Sequence, residues 1–282
     1  MVSVNAQMKA KADTFYALHQ APGAFIIPNP WDRGSARILA HLGFKALATT
    51  SMGYAFSIGQ RDNSLTREQT LANAADIAAA TDLPVNADLE NGFGDAPEDV
   101  AETIGLTTAA GIVGGSIEDA SGRDEAPIYD LGLAKARIEA AVAAARALPY
   151  KFALTARAEN YLWGHPDLND TIRRLQAYQE AGADVLYAPG LKTREDIAAV
   201  VSSVDRPVNV VMGLAGVQLS LEELSKLGVK RISVGSSLQR AALGEFVRAA
   251  REMQAQGTFT YAAKAAAPKD MTAIFDSFGG VT

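Results

Sequence analysis

Pro84-Val85-Asn86-Ala87-Asp88-Leu89-Glu90-Asn91-Gly92-Phe93-Gly94 is the stretch whose reading decides the fold of this 282-residue chain. As a strand it alternates faces, so Val85, Ala87 and Leu89 share one side and Asn86, Asp88 and Glu90 the other. The apolar face belongs against covering helices. A face carrying an amide and two carboxylates belongs in a wet site. At about 3.3 Å rise per residue the two acid Cβ atoms lie about 7 Å apart, within reach of one hard cation directly or through its waters. Gly92-Phe93-Gly94 then lets the chain turn tightly. A surface strand with solvated acids has the same alternation, but the flanking pattern suits a buried parallel strand better.

Working outward, apolar strand-like runs alternate with helical spacing along the chain. Residues 5–20 read as a short amphipathic helix ahead of the main fold. A first strand at 24–28 turns through Asn29-Pro30-Trp31-Asp32 into a helix at 33–41. A second strand covers 45–51, Met52 to Ser64 reads as a mobile stretch, and a capped helix begins at Thr66. Beyond the quoted strand come helix 97–110, strand 112–118, loop 119–130, helix 131–147 and strand 151–157. Then follow helix 167–181, strand 183–188, helix 193–202, strand 207–211, helix 220–227, strand 229–234 and helix 237–255. Eight strand–helix units at roughly 25 to 35 residues each favour an α/β fold of the closed (β/α)8 TIM-barrel type over an open doubly wound sheet. The expectation is one domain over 1–282, with the barrel at about 20–255 and a helical tail at 256–282.

Composition narrows the function. A chain that is 48% hydrophobic can bury a large core, and a net charge of −6 argues against nucleic acid or an acidic membrane as partner. Cysteine is absent, which removes disulfides, thiolate metal sites and a cysteine nucleophile. No apolar run is long enough to span a bilayer and the N-terminus lacks a signal-peptide core, so the expected location is the cytoplasm. Nucleotide-binding fingerprints are missing, and Gly111-Ile112-Val113-Gly114-Gly115 reads as a close-packing element rather than a phosphate cradle.

In a (β/α)8 barrel the working face is the C-terminal end of the strands. Period two aims Thr49 and Ser51 inward from the second strand, Asn86, Asp88 and Glu90 from the third, and Ser116 and Glu118 from the fourth. The fifth adds Thr155, Arg157 and Glu159, the seventh Asn209, and the eighth ends in Ser233-Val234-Gly235-Ser236. Carboxylates from neighbouring strands repel unless a cation holds them, and oxygen-only donors point to Mg2+ or Mn2+ rather than zinc. Arg157 suits a substrate carboxylate by its planar fork, with a structural bridge to Glu118 or Glu159 as the alternative. His19 and His41 fall in helices as packing or surface residues, and His165 lies on a loop of the working face.

These residues resemble the isocitrate lyase/phosphoenolpyruvate mutase superfamily over nearly the whole chain, from Pro28-Asn29-Pro30-Trp31-Asp32-Arg33-Gly34-Ser35-Ala36-Arg37 to Arg240-Ala241-Ala242-Leu243. The specific pieces are Asp88-x-Glu90-x-Gly92-Phe93-Gly94, where the family usually has D-x-D-x-G-[YF]-G, then Ile117-Glu118-Asp119 and Thr155-Ala156-Arg157. The resemblance implies a Mg2+-dependent barrel working on a C–C or P–C bond beside a 2-oxo acid. It implies Asp88 as main metal ligand, with Glu90, Glu118 and Asp62 acting through metal-bound water. Ser51, Met52 and Gly53 are similar to the segment that holds the substrate carboxylate, and Arg157 to the arginine that stabilises the enolate. The resemblance also implies a homotetramer in which the last helix packs on, or swaps with, a neighbouring subunit.

The departures are as informative. Isocitrate and methylisocitrate lyases carry K-[KR]-C-G-H after the fourth strand, where this chain has Ala120-Ser121-Gly122-Arg123-Asp124-Glu125-Ala126-Pro127-Ile128-Tyr129-Asp130. Those two activities are therefore not expected. The phosphonate enzymes usually show E-D-K where this chain has Glu118-Asp119-Ala120, and Ala188-Pro189-Gly190-Leu191 replaces the glutamate of the lyases. The expected catalytic residues are Arg157, Glu118 and Tyr129, with Glu159 or His165 as other bases. Substrate binding falls to Ser51, Met52, Gly53, Arg157 and Asn209. The expected reaction is lysis or decarboxylation of a small 2-oxo or 2-hydroxy dicarboxylic acid, oxaloacetate-like, through a pyruvate-type enolate. The alternatives are P–C chemistry on a phosphonopyruvate-like acid, with Gly235-Ser236 as an anion site, or a binding protein that kept the pocket and lost turnover.

Overall fold

The computed structural model describes residues 4–279. Helix α1 (Val4–Gln20) precedes β1 (Phe25–Ile27) and α2 (Arg33–His41); β2 (Leu47–Ala48) leads into α3 (Ser51–Ser57), and α4 (Arg67–Ala80) follows. The alternation continues through β3 (Val85–Asp88), α5 (Pro97–Leu106), β4 (Gly114–Glu118), α6 (Leu131–Arg146), β5 (Ala153–Arg157) and α7 (Leu168–Glu180). It is completed by β6 (Val185–Tyr187), α8 (Arg194–Ser202), β7 (Val208–Val211), α9 (Leu221–Lys226), β8 (Arg231–Ser233) and α10 (Ser237–Gln256). A 3-10 turn (Thr260–Lys264) and α11 (Pro268–Asp276) follow.

All strand pairs are parallel, in the order β1-β8-β7-β6-β5-β4-β3-β2, so the sheet curls into a nearly closed (β/α)8 barrel. The seam between β1 and β2 is bridged at its C-terminal end, where Ala48 N–H donates to the Pro28 carbonyl at 3.0 Å. Asn29 completes the join: its Nδ2 donates to the Thr49 carbonyl, and its Oδ1 accepts from the backbone N–H groups of Val234 and Gly235. Outward-facing strand residues such as Val85, Ala87, Ile117 and Leu154 are buried under the helices.

The second strand is shorter than its apolar run. Thr50 leaves the sheet and its hydroxyl accepts the Gly53 N–H at 3.2 Å, capping α3. That cap converts the first part of the stretch expected to be mobile, Met52 to Ser64, into a helix that seats Ser51 and Met52 on the barrel mouth.

The Gly-rich stretch packs as expected. A Cβ on Gly114 would lie 2.8 Å from the Phe15 ring, and one on Gly115 2.7 Å from Leu89. Helix α1 thus inserts Phe15 into the N-terminal end of the barrel, with His19 one turn on. At the other terminus α11 packs on α2, with the Arg37 guanidinium 5.6 Å from the Phe278 ring. Residues 280–282 of the expected tail lie outside the described residues. None of the described helices is long and apolar enough to cross a membrane.

Phe15 is fully buried. Phe15→Ala is expected to cost about 3–5 kcal/mol of unfolding free energy in a denaturant titration, through lost contacts and the cavity left below β4.

Candidate active site

The strand ends converge on a cavity of about 440 Å3 at the C-terminal mouth of the barrel. Asp62, Asp88, Glu118 and Glu159 face it together with Arg157, Ser51, Met52 and Asn209. Arg157 is the hub. Its Nη1 lies 2.9 Å from Asp88 Oδ1, its Nη2 3.0 Å from Glu118 Oε2 and its Nε 2.8 Å from Glu159 Oε1. Burial alone would lower the guanidinium pKa, but Glu159, Glu118 and Asp88 outweigh it and push it up. Burial raises the Glu118 and Glu159 carboxyls in turn, with Arg157 opposing.

Each member is held from behind. Asp88 takes the Ser51 N–H at 3.1 Å and the Ser51 hydroxyl at 2.8 Å on Oδ2, and its own N–H donates to Thr49 Oγ1. Asp119 faces away from the cavity by strand alternation. It accepts the Glu159 N–H at 2.8 Å, the Tyr178 hydroxyl at 2.5 Å and Arg174 Nη1 at 3.1 Å. The Glu118-Asp119 pair therefore divides its labour: the first acid faces the cavity, and the second anchors the end of β5.

Glu90 does not follow the alternation. The strand ends at Asp88, and Glu90 adopts a φ of +48°, so it does not line the cavity beside Asn86 and Asp88. Its carboxyl is buried, and Oε1 has no hydrogen-bond partner. Burial, Asp88 and Asp62 push it up to about 8. Asp62 is raised too, by burial and then by Asp88.

These donors suit a hard divalent cation: they are all oxygens, two carboxyls are destabilised by burial and then by neighbouring acids, and one buried oxygen lacks a partner. Among the described residues no three acids converge into a closed cage.

The loop expected to supply Tyr129 is placed elsewhere. Ala120 bridges Ile128, Ser121 N–H donates to the Pro127 carbonyl, and the loop folds back as a tight hairpin outside the cavity. Tyr129 is buried, donates to Asp95 Oδ1 at 2.6 Å, and is pushed up to about 12 by burial and Asp95. The buried Arg137 guanidinium stacks 4.3 Å from its ring and ties the 91–95 turn by donating to the carbonyls of Asn91, Gly94 and Asp95. His165 lies beside Asn160 and Asp167, outside the cavity. Gly53 also stays outside, its N–H spent on Thr50.

Several cavity residues escaped the sequence reading. Leu162, Trp163 and Pro189 come from irregular loops, where no periodicity aims a side chain. Tyr187 stacks on Arg157 at 5.2 Å, and the end of β6 could have flagged it. Arg231 begins β8 and lines the cavity, although its charge reads as a surface residue in the sequence.

Fold and site together define a (β/α)8 barrel protein whose mouth gathers carboxylates around one arginine. The phosphoenolpyruvate phosphomutase family model matches residues 15–254, and the chain belongs to the isocitrate lyase/phosphoenolpyruvate mutase superfamily. A crystal structure of a Burkholderia cenocepacia protein of provisional lyase/mutase assignment is 61% identical, with a TM-score of 0.94 over 96% of this chain and 98% of that one. An uncharacterized protein of Mycobacterium tuberculosis is 35% identical over 84% of this chain and 88% of its own length. An oxaloacetate decarboxylase of Rhodopseudomonas palustris is 29% identical over 86% and 82%. A phosphonopyruvate hydrolase crystallised with oxalate and Mg2+ is 25% identical, with a TM-score of 0.83 over 95% of each chain.

Glu90 sets a pH dependence in metal-free protein. Between its ordinary 4.5 and about 8 the native chain keeps this proton and the unfolded chain does not, so stability falls as pH rises through that window. In urea titrations with chelator present, Glu90→Gln should flatten that fall and be the more stable protein at pH 8.5.

Proposed function

We propose that this chain is a Mg2+-dependent lyase acting on a small 2-oxo or 2-hydroxy dicarboxylic acid, by C–C cleavage or decarboxylation through a pyruvate-type enolate. The observation that carries this reading is Arg157 at the cavity mouth, ringed by Asp88, Glu118 and Glu159. Asp88 is the strongest candidate to hold the cation, since its side chain is more exposed than those of Glu118 and Glu159. Asp62, Glu90 and Glu118 would act through the cation's waters, and Mn2+ suits the same donors. The bound cation would supply Lewis-acid stabilisation of the developing enolate charge.

The chain's own groups do the rest. Arg157 remains charged throughout and presents N–H donors to the substrate carboxylate and enolate oxygen. Ser51, whose hydroxyl lies beside Asp88 in the cavity lining, would offer a further donor to the ligand. With Tyr129 held outside the cavity, proton movement falls to Glu159 and Glu118, whose raised pKa values suit a group that holds and releases a proton. Loss of CO2 from an oxaloacetate-like acid needs no acid at the start, which agrees with a chain that has no cysteine in the loop after β4.

One observation favours P–C chemistry as a second reading. Ser236, at the start of α10, lines the cavity, where the helix N-terminus would attract a phosphonate. An unchanged 31P spectrum after incubation with phosphonopyruvate would remove that reading.

We also propose that the chain acts in the cytoplasm as a homo-oligomer, a tetramer by resemblance. Gln239 is the one buried residue of α10, while Leu238, Leu243, Phe246, Val247 and Met253 of the same helix are exposed. A second copy of the chain is the occupant that would cover this face.

NMR-monitored turnover of oxaloacetate and substituted malates should require Mg2+. Arg157→Lys should lower kcat about 10²-fold or more, by loss of fork-shaped donors where charge develops. Full metal-dependent turnover by Asp88→Ala would overturn the site. In light scattering behind size exclusion, Phe246→Asp should shift the assembly to a smaller species.

A further inference from the structure

Arg231 is a buried cation that the reading above leaves without a task. It lies on β8, is 3% exposed, and lines the same cavity as Arg157. Inside the barrel its Nε donates to Asn209 Oδ1 at 2.8 Å and its Nη2 to Thr155 Oγ1 at 2.8 Å. Nη1 faces His19 Nε2 at 3.5 Å. The other His19 nitrogen, Nδ1, lies 2.8 Å from the Phe15 carbonyl and must donate to it, which leaves Nε2 as the acceptor. All three partners are neutral. Burial pulls His19 down to about 3, so it stays neutral, and burial pulls the guanidinium itself down to about 9, so it stays charged near pH 7.

Arg157 and Arg174 are buried against carboxylates, and Arg137, though bonded to backbone carbonyls, lies outside the cavity within the field of Asp95 and Asp99. Among the described residues no carboxylate forms an ion pair with Arg231. A buried guanidinium satisfied only by neutral acceptors keeps an unbalanced charge, and the open side from which a counter-charge can arrive is the cavity.

The two cations stand at different depths. Thr155, which Arg231 contacts, and Arg157 are two residues apart on one face of β5, so the two levels are separated by about 7 Å. Asp88, Glu118 and Glu159 all sit at the upper level. Neutral polar side chains, among them Asn86, Ser116, Asn209 and Ser233, line the cavity with them.

We propose that Arg231 is the counter-charge for the second carboxylate of the ligand. The acid enters with its 2-oxo or 2-hydroxy end at Arg157 and the acidic mouth, and its far carboxylate reaches down to the Arg231 fork. The planar guanidinium matches a carboxylate, and the dry surroundings strengthen the pairing. This makes Arg231 the residue that selects a dicarboxylic over a monocarboxylic acid, and it rests on the 2-oxo-acid reading of the site.

Calorimetry in Mg2+ with pyruvate, 2-oxobutyrate and 3,3-difluorooxaloacetate tests this on wild type, Arg231→Met and Arg231→Lys, with thermal melts to check folding. Wild type should bind the dicarboxylate about thirtyfold or more tighter than the monocarboxylates. Arg231→Met should reduce that preference to about threefold or less while leaving pyruvate affinity nearly unchanged, and Arg231→Lys should keep part of it. If wild type binds none of these acids, the 2-oxo-acid reading fails first. If wild type binds pyruvate but shows no preference for the dicarboxylate, the Arg231 proposal is overturned whether or not the variants fold. It is overturned equally if Arg231→Met weakens both ligand classes alike, which marks the residue as packing.

Discussion

A guanidinium held by three carboxylates at the mouth of a barrel is the constraint on which the rest of this structure depends. Buried acids repel one another and lose hydration, so Asp88, Glu118 and Glu159 can share a cavity only with a cation between them. Arg157 supplies that charge here, and its fork meets all three at once. The arrangement is kept in place from outside the cavity. Ser51 and Thr49 hold Asp88, and Asp119 with its Tyr178 and Arg174 partners holds the backbone at Glu159.

The loops decide which chemistry this frame carries out, as is usual for (β/α)8 barrels. The 119–130 loop folds against the turn after β3, pinned by the Arg123–Asp95 pair at 2.5 Å and by Tyr129 under Arg137. Its side chains are thereby kept from the cavity, and the carboxyls that face it are Asp62, Asp88, Glu118 and Glu159. Burial raises the Glu118 and Glu159 carboxyls, while Tyr129, outside the cavity, is pushed up to about 12.

Charge is distributed by depth in the barrel. The acids sit with Arg157 near the strand ends, while Arg231 lies lower, among Asn209, Thr155 and His19. The dicarboxylic ligand proposed for this cavity matches that polarity at both ends. The helix that closes the chain has the opposite character: α10 leaves Phe246 69% exposed, far from the economy of a finished surface.

Eight-fold alternation of strand and helix was legible in the sequence because both periods are local and the hydrophobic face must follow them. Period two also aimed Asp88, Glu118, Arg157 and Asn209 correctly into the cavity, since each lies within a regular strand. Where the strand ends, that reasoning ends too. Glu90 turns into the left-handed region two residues past the point at which alternation applies, and Tyr129 belongs to a hairpin tied to Asp95, 34 residues earlier. The convergence of Asp62 with Asp88, the anchoring of Glu159 by Asp119, and the isolation of Arg231 are pairings across 26, 40 and 76 residues or between non-adjacent strands. Only barrel closure brings such groups together, because local spacing carries no information about which strand end will stand opposite another.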